Sequence, residues 1–300
     1  MNKKALSGKI AVVAGATRGA GRGIACMLGE AGATVYCTGR SVRGALASGA
    51  ARPETIEETA EKVDACGGQG IAVRVDHSDA AQVEALFARV RFEQGRLDIL
   101  VNDIWGGDEL AEWGLPFWEQ DLSKGFKMLR RAIDTHIITA HYAAPILVAQ
   151  GSGLIVEITD GDSPRYRGNF FYDLAKSTVI RMAYAMSEDL RDVRVTALAV
   201  TPGFLRSEAM LDLFGVTEAN WQDGAGQDPH FIASETPCFV GRAVAALAAD
   251  PDVAQKSGGV FSSWGLSDEY GFTDIDGRQP HWGRYFAEYV EGQAASFQNP

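Results

Sequence analysis

From Ile10 to Glu30 the sequence passes from an apolar strand through a glycine-rich turn into a helix, and this succession limits the possible folds more than any other stretch. Ile10-Ala-Val-Val-Ala14 contains no polar residue. Such a run suits a strand buried on both faces, the situation of a parallel sheet. The turn carries Gly15, Gly19, Gly21 and Gly23, and Ile24 to Glu30 then reads as a helix. Glycines let a backbone approach a phosphate without Cβ clashes, and a helix N-terminus offers it N–H groups and the positive end of a dipole. A glycine turn alone is common. Between a strand and a helix it points to nucleotide binding.

The following segments repeat the pattern. Thr34 to Thr38 is a second strand ending in Gly39-Arg40-Ser41. An NAD site usually places a carboxylate here for the ribose 2′-hydroxyl, whereas an arginine fits a 2′-phosphate. Arg40, the hydroxyl of Ser41 and the nearby Arg18 therefore predict NADP(H). An Ala/Gly/Ser-rich loop spans 44–52. Pro53 opens a helix with acidic residues in its first turn, as the dipole favours. Gly70 to Val75 is a third strand, closed by Asp76 and His77. Ser78 is positioned to cap a helix whose residues Val83, Leu86, Phe87 and Val90 share one face. Leu97 to Asn102 is a fourth strand. Later strands fall at Gly153–Ile158, Val193–Val200 and Gly259–Ser263, and long helices at 126–150 and 171–190. Alternating strands and helices with short loops predict an α/β fold: a Rossmann-type doubly wound parallel sheet of about seven strands, helices on both faces, in one domain over 1–300.

Two long irregular segments interrupt the alternation, at about 103–125 and 204–236. Both follow the C-terminal ends of strands, where open α/β sheets bind ligands. The first carries Trp105, Trp113, Phe117 and Trp118. Both read as substrate loops, with a C-terminal extension at about 264–300 packed on the body.

Tyr172 and Lys176 stand one helical turn apart on one face. A phenol titrates near 10, too high for ready acid–base work at neutral pH, and an ammonium beside it lowers that value. The pair thus predicts Tyr172 as a proton donor and acceptor tuned by Lys176.

Composition closes several other functions. A formal charge of −11 with no Lys/Arg run argues against nucleic acid. The cysteines Cys26, Cys37, Cys66 and Cys238 are scattered without a C-x-x-C pattern, and His230 and His281 stand alone, so neither a disulfide framework nor a metal site is expected. The short apolar run near the N-terminus does not fit a signal peptide, and no stretch approaches the ~18 apolar residues of a membrane span. The expectation is a cytoplasmic protein with no membrane partner.

Taken together, Ala14-Gly15-x-x-x-Gly19-x-Gly21, Asp76 after strand three, Asn102 after strand four, Tyr172-x-x-x-Lys176 and Pro202-Gly203 after strand six resemble the short-chain dehydrogenase/reductase superfamily over nearly the whole chain. The tail from Tyr270 to Gly277 is similar to the branch of dehydrogenase/reductase family member one. The resemblance implies an NADP(H)-dependent oxidoreductase of a small carbonyl or alcohol. Gly15, Thr17, Arg18, Gly19 and Gly21 would hold the pyrophosphate and adenosine ribose, and Arg40 and Ser41 the 2′-phosphate. Asp76 and His77 would flank the adenine. Asn102, Pro202 and Gly203 belong to the cofactor site, Lys176 would also reach the nicotinamide ribose, and Ser207 the carboxamide. In reduction Tyr172 gives its proton to the substrate oxygen. A homodimer or homotetramer, formed through the two long helices, is implied as well.

Three positions depart from the family. Its Asn-Asn-Ala-Gly is here Asn102-Asp103-Ile104-Trp105. Its helix asparagine, which anchors a relay water, falls on His136; an imidazole either holds that water or is a structural residue. Its substrate-orienting serine falls on Thr159 when counted back from Tyr172, and on Asp160 when the strand is aligned. Thr159 is preferred, because an ionised carboxylate would repel a developing alkoxide. The changes at His136 and Asp160 leave a second reading, a non-catalytic NADP(H)-binding sensor or interaction protein on the same scaffold.

Overall fold

The computed structural model describes residues 4–45 and 52–291. Most of the loop expected over 44–52, and the end of the tail expected to 300, lie outside those residues.

Seven strands form one parallel sheet in the order β3-β2-β1-β4-β5-β6-β7. They are β1 (Ile10–Ala14), β2 (Thr34–Gly39), β3 (Gln69–Arg74), β4 (Ile99–Asn102), β5 (Gly153–Ile158), β6 (Val195–Thr201) and β7 (Val260–Ser262). The order reverses at β1: Val12 pairs with Tyr36 of β2 on one side and Leu100 of β4 on the other. This switch point leaves a crevice at the C-terminal ends of β1 and β4.

Strand alternation divides the core in two. Ala11, Val13, Ile99, Val101, Leu154, Val156, Leu198 and Val200 face α1 (Gly19–Glu30) and α8 (Pro237–Ala249), which supply Ile24, Leu28, Val240, Val244 and Leu247. Ile10, Val12, Tyr36, Leu100, Ile155 and Ala197 face α3 (Ala80–Gln94) and α5 (Thr135–Gln150), which supply Val83, Phe87, Ala143 and Leu147. Burying such side chains contributes roughly 1.5–3 kcal/mol each and fixes the register.

On the α3–α5 face the apolar rows end in polar residues. Thr38 follows Tyr36, Asn102 follows Leu100, and Glu157 follows Ile155, all buried. Polar atoms brought into a core require partners, and these rows supply them for one another.

Three helix boundaries differ from the sequence expectation. α2 (Ile56–Ala65) starts after Pro53, because Thr55 caps it by accepting from Glu58 N. α3 is capped by Asp79, which accepts from Ala81 N and Gln82 N, while the Ser78 hydroxyl donates to Asp76. The helix expected over 126–150 begins earlier and is continuous: α4 (Leu122–Leu129) runs through a π-helical turn over Arg130–Asp134 into α5. Among the described residues no helix is long and apolar enough to cross a membrane.

Candidate active site

Tyr172 lies in the first turn of α6 (Phe170–Asp189). Asn169 caps this helix: its Oδ1 accepts from Tyr172 N at 3.0 Å, and its Nδ2 donates to Glu112 O at 3.0 Å. The cap ties the start of α6 to the loop after β4. That loop brings two indoles to the phenol, Trp105 edge-on with ring centroids 5.4 Å apart and Trp113 tilted at 5.2 Å. The ring is held on both sides and only half-buried.

The hydroxyl of Tyr172 donates to Asp160 Oδ2 at 2.8 Å. The place expected for Thr159 is therefore taken by Asp160, and alternation explains it. Thr159 continues β5 for one more residue, with Thr159 N donating to Val200 O. It follows Ile155 and Glu157 to the α3–α5 face, where its hydroxyl donates to the Lys176 carbonyl at 2.8 Å. Beyond Thr159 the chain bends away from β6, and Asp160 meets the phenol. The Arg167 guanidinium fixes this bend by donating to Asp160 O and, at 3.1 Å, to Asp173 Oδ1.

The surroundings of Tyr172 act on its hydroxyl as well. Burial, then the Asp160 charge, push its phenol well above its usual value. The Lys176 Nζ lies over the Trp105 ring at 4.1 Å and is 5.6 Å from the centre of the Tyr172 ring. Burial lowers the Lys176 ammonium, opposed by Asp160 and Asp103.

His136 is clamped. Its Nδ1 lies 2.5 Å from Glu157 Oε2 and its Nε2 3.0 Å from Ile104 O. Both ring nitrogens are committed to acceptors, so neither remains for a relay water. Glu157 Oε1 accepts from Asn102 Nδ2 at 2.7 Å. The chain Asn102–Glu157–His136–Ile104 thus pins the peptide that leads to Trp105. Asn102 faces this interior network, and its Oδ1 has no partner among the described residues.

The cofactor residues proposed from sequence fall mainly along one edge of the crevice. Gly15, at φ +92, passes so close to β4 that an added Cβ would stand 2.3 Å from Asp103 O. The Asp103 carboxyl accepts from the Gly21 N–H, and burial pushes it up to about 7 against the pull of Lys176. Gly19 N donates to Glu208 Oε2 at 2.8 Å. Thr17 lies against Gly39, where an added Cβ would meet its hydroxyl at 2.6 Å. Arg40 is exposed 3.9 Å from Asp76, and Arg18 is 3.9 Å from Glu54. Ser41 is buried and accepts from Ile56 N through its carbonyl. Ser207 caps α7 (Glu208–Leu213) beside Gly19. Gly203 N donates to Glu235 Oε2 at 2.9 Å, just after Pro202.

His77 does not fit its expected place. Its ring is buried between Thr38 Oγ1 and Thr139 Oγ1, each 2.8 Å away, and burial lowers its pKa to about 3. Only its backbone is left to face an adenine.

The glycine turn at the strand ends fits a nicotinamide dinucleotide. The glycine turn opens onto the N-terminus of α1, where Arg18, the cap residue, makes no side-chain cap bond. Arg18 and Arg40 are partly exposed on that side, beside Arg22 and Arg52, which are paired with Glu58 and Glu54. Sequence reasoning marked Asp103 only as a departure from the family and did not single out Glu157, Glu208 or Arg167. Glu157 was visible as the one charged residue in Gly153–Ile158; the others gave no signal short of the fold.

Known proteins share this sequence pattern and this fold. Residues 9–214 match the short chain dehydrogenase family. Dehydrogenase/reductase SDR family member 1 from Mus musculus is 34% identical over 278 residues, 91% of this chain and 85% of that protein. Its Homo sapiens counterpart is 34% identical over 283 residues, again 91% and 85%. A metagenomic short-chain oxidoreductase solved in complex with NADP superposes with a TM-score of 0.63 at 23% identity, covering 83% of this chain and 94% of that one, and shares the fold. The chain therefore belongs to the short-chain dehydrogenase/reductase family of oxidoreductases.

Proposed function

We propose that this protein is an NADP(H)-dependent oxidoreductase acting on a small carbonyl or alcohol, with Tyr172 as the acid–base residue. The observation that carries the reading is the half-buried Tyr172 hydroxyl, bound to Asp160, at the strand ends beside the glycine turn. Bound nicotinamide supplies or accepts the hydride. Tyr172 holds the proton that the substrate oxygen gains in reduction. Asp160 orients that hydroxyl in place of Thr159, and Lys176 adds a positive charge that steadies the phenolate left behind. Trp105 and Trp113 hold the phenol ring from two sides. Arg18, Arg40 and Ser41 are the residues assigned to a 2′-phosphate, Gly15, Thr17, Gly19 and Gly21 to the pyrophosphate and ribose, and Asp76 to the adenine side. Segments 103–125 and 204–236 serve as substrate loops around a body formed by 1–300.

The alternative, a nucleotide sensor, draws on the proton of Tyr172 being bound to Asp160. Exposed Ile137 and Val148 on α5, with Leu174 and Tyr184 on α6, support pairing of copies as a homodimer or homotetramer. The four free cysteines suit a reducing, cytoplasmic setting.

The test is NADPH oxidation, with NADH beside it, against aldehydes, ketones, diketones and quinones. Arg40→Ala is expected to raise the KM for NADPH about ten-fold, the value of one partly exposed charged contact, and to leave NADH unchanged. Equal loss with both cofactors would remove Arg40 from the 2′-phosphate. No turnover with any carbonyl, in protein that binds NADPH, would favour the sensor.

Direction also follows from the raised phenol. Alcohol oxidation needs the phenolate, so its rate is expected to climb through the alkaline range, while reduction persists at neutral pH. Asp160→Asn removes a charge that raises Tyr172. The alkaline rise of oxidation is then expected at lower pH; an unmoved profile would separate Asp160 from the proton chemistry.

A further inference from the structure

Glu235 stands where segment 204–236 returns to the body. It is 1% exposed. Its Oε2 accepts from Gly203 N at 2.9 Å and from the Ser263 hydroxyl at 2.6 Å. Its Oε1 has no partner among the described residues. The backbone repeats the attachment: Glu235 N donates to Phe204 O at 2.9 Å, and Arg206 N donates to Glu235 O at 2.7 Å. One residue thus joins the turn after β6, both ends of the 204–236 segment, and the start of α9 (Ser263–Tyr270).

Packing alone does not call for a carboxyl here. An apolar side chain of similar size would fill the space without a buried orphan oxygen, which is costly. The surrounding charges do not call for one either. Among the described residues the titratable neighbour acting on Glu235 is Asp274, also an acid, whose carboxylate holds Thr236 N and the Thr236 hydroxyl. The guanidinium of Arg206 is turned to Glu218 and Asp276, and that of Arg278 to Asp276 and Ser234 O. Burial pushes Glu235 up to about 8. What the carboxyl does achieve is to gather the Gly203 N–H and the Ser263 hydroxyl onto one oxygen. Gly203 leaves no slack in this arrangement: an added Cβ would stand 2.9 Å from Glu235 Oε2 and 2.7 Å from Trp282 Cβ.

We infer that Glu235 is a positioning residue for the Pro202–Gly203 turn and, through it, for the nicotinamide end of the bound cofactor. This rests on the nicotinamide-dependent function proposed above. The residue acts at one end of the cofactor only, since the adenosine side is built from the β1 and β2 turns on the far side of the crevice.

The test compares Glu235→Gln and Glu235→Leu, reading dissociation constants for NADPH and for 2′,5′-ADP, which lacks the nicotinamide half, with melting temperature beside them. The amide oxygen of Gln accepts the same two bonds, so Glu235→Gln is expected to stay within about two-fold of wild type for both ligands. Leu leaves two buried donors unpaired, so Glu235→Leu is expected to weaken NADPH about ten-fold or more and to leave 2′,5′-ADP unchanged. Equal weakening of both ligands, or of neither, in folded Glu235→Leu would overturn the inference. If that variant does not fold, Ser263→Ala removes one of the two bonds, and the same split between ligands decides. A wild-type protein that fails to bind NADPH would instead overturn the proposed function, so the two failures are distinguishable.

Discussion

Tyr172→Phe is expected to lower kcat about 10²–10⁴-fold, the range for a lost general acid, while the NADPH dissociation constant stays within about two-fold. The substitution removes one oxygen and keeps the ring. That ring is held by Trp105 and Trp113 and by the Asn169 cap, none of which uses the hydroxyl. The glycine turn and the arginines assigned to the cofactor touch other elements. The loss should therefore fall on kcat and on kcat/KM alike, the pattern of an interaction made in the transition state. The single group deprived of a partner is Asp160, and it is accessible enough for water to replace the phenol. The measurement is single-turnover NADPH oxidation at saturating cofactor, with melting temperature as the check on folding. Folded Tyr172→Phe with more than a tenth of wild-type turnover would remove Tyr172 from the proton transfer.

How far the sequence could be read depended on how local each feature is. β1, its glycine turn and α1 are adjacent in the chain, so composition and order sufficed. The apolar rows of the strands announced a sheet covered on both faces, and the seven-strand parallel fold is the one expected. The helix expected over 126–150 is present and begins at Leu122, but periodicity gives no sign of the π-helical turn inside it. The choice between Thr159 and Asp160 was set by how far β5 keeps pairing with β6, which spacing from Tyr172 cannot show. Lys176 was read correctly as a neighbour of Tyr172 along the helix. Its position over Trp105 depends on the long loop after β4, a tertiary fact. Glu157 and His136 were each visible as unusual residues, but their pairing joins a strand to a helix across the core. Glu235 lay hidden for the same reason: both of its donors come from other elements.

Gly23→Ala should carry the largest cost to stability, and two opposed terms decide its sign. In a helix interior Ala is favoured over Gly by about 1 kcal/mol, so on propensity alone the change would stabilise α1. At Gly23 the new Cβ would stand 2.0 Å from Pro237 O and 2.2 Å from Pro237 C, in the first turn of α8. No side chain can swing aside there, because the obstacle is backbone. Gly241 repeats the contact from the other side, its own added Cβ falling 2.5 Å from Gly23 O. The helices must therefore move apart along their crossing. Overpacking of this kind typically costs about 1–3 kcal/mol and sometimes more; with backbone on both sides we expect the upper end, a net loss of about 2 kcal/mol after the propensity gain. In a chain of this size that is a drop in Tm of about 5 °C, measurable by thermal unfolding. Gly226→Ala, where an added Cβ meets nothing within 4 Å, serves as the control and should leave Tm unchanged. The displacement would also reach the site, since α1 begins at the glycine turn and α8 begins directly after Glu235 and Thr236. NADPH affinity should fall together with Tm. A Gly23→Ala protein that melts above the wild type would mean that α1 and α8 are not in contact through these glycines.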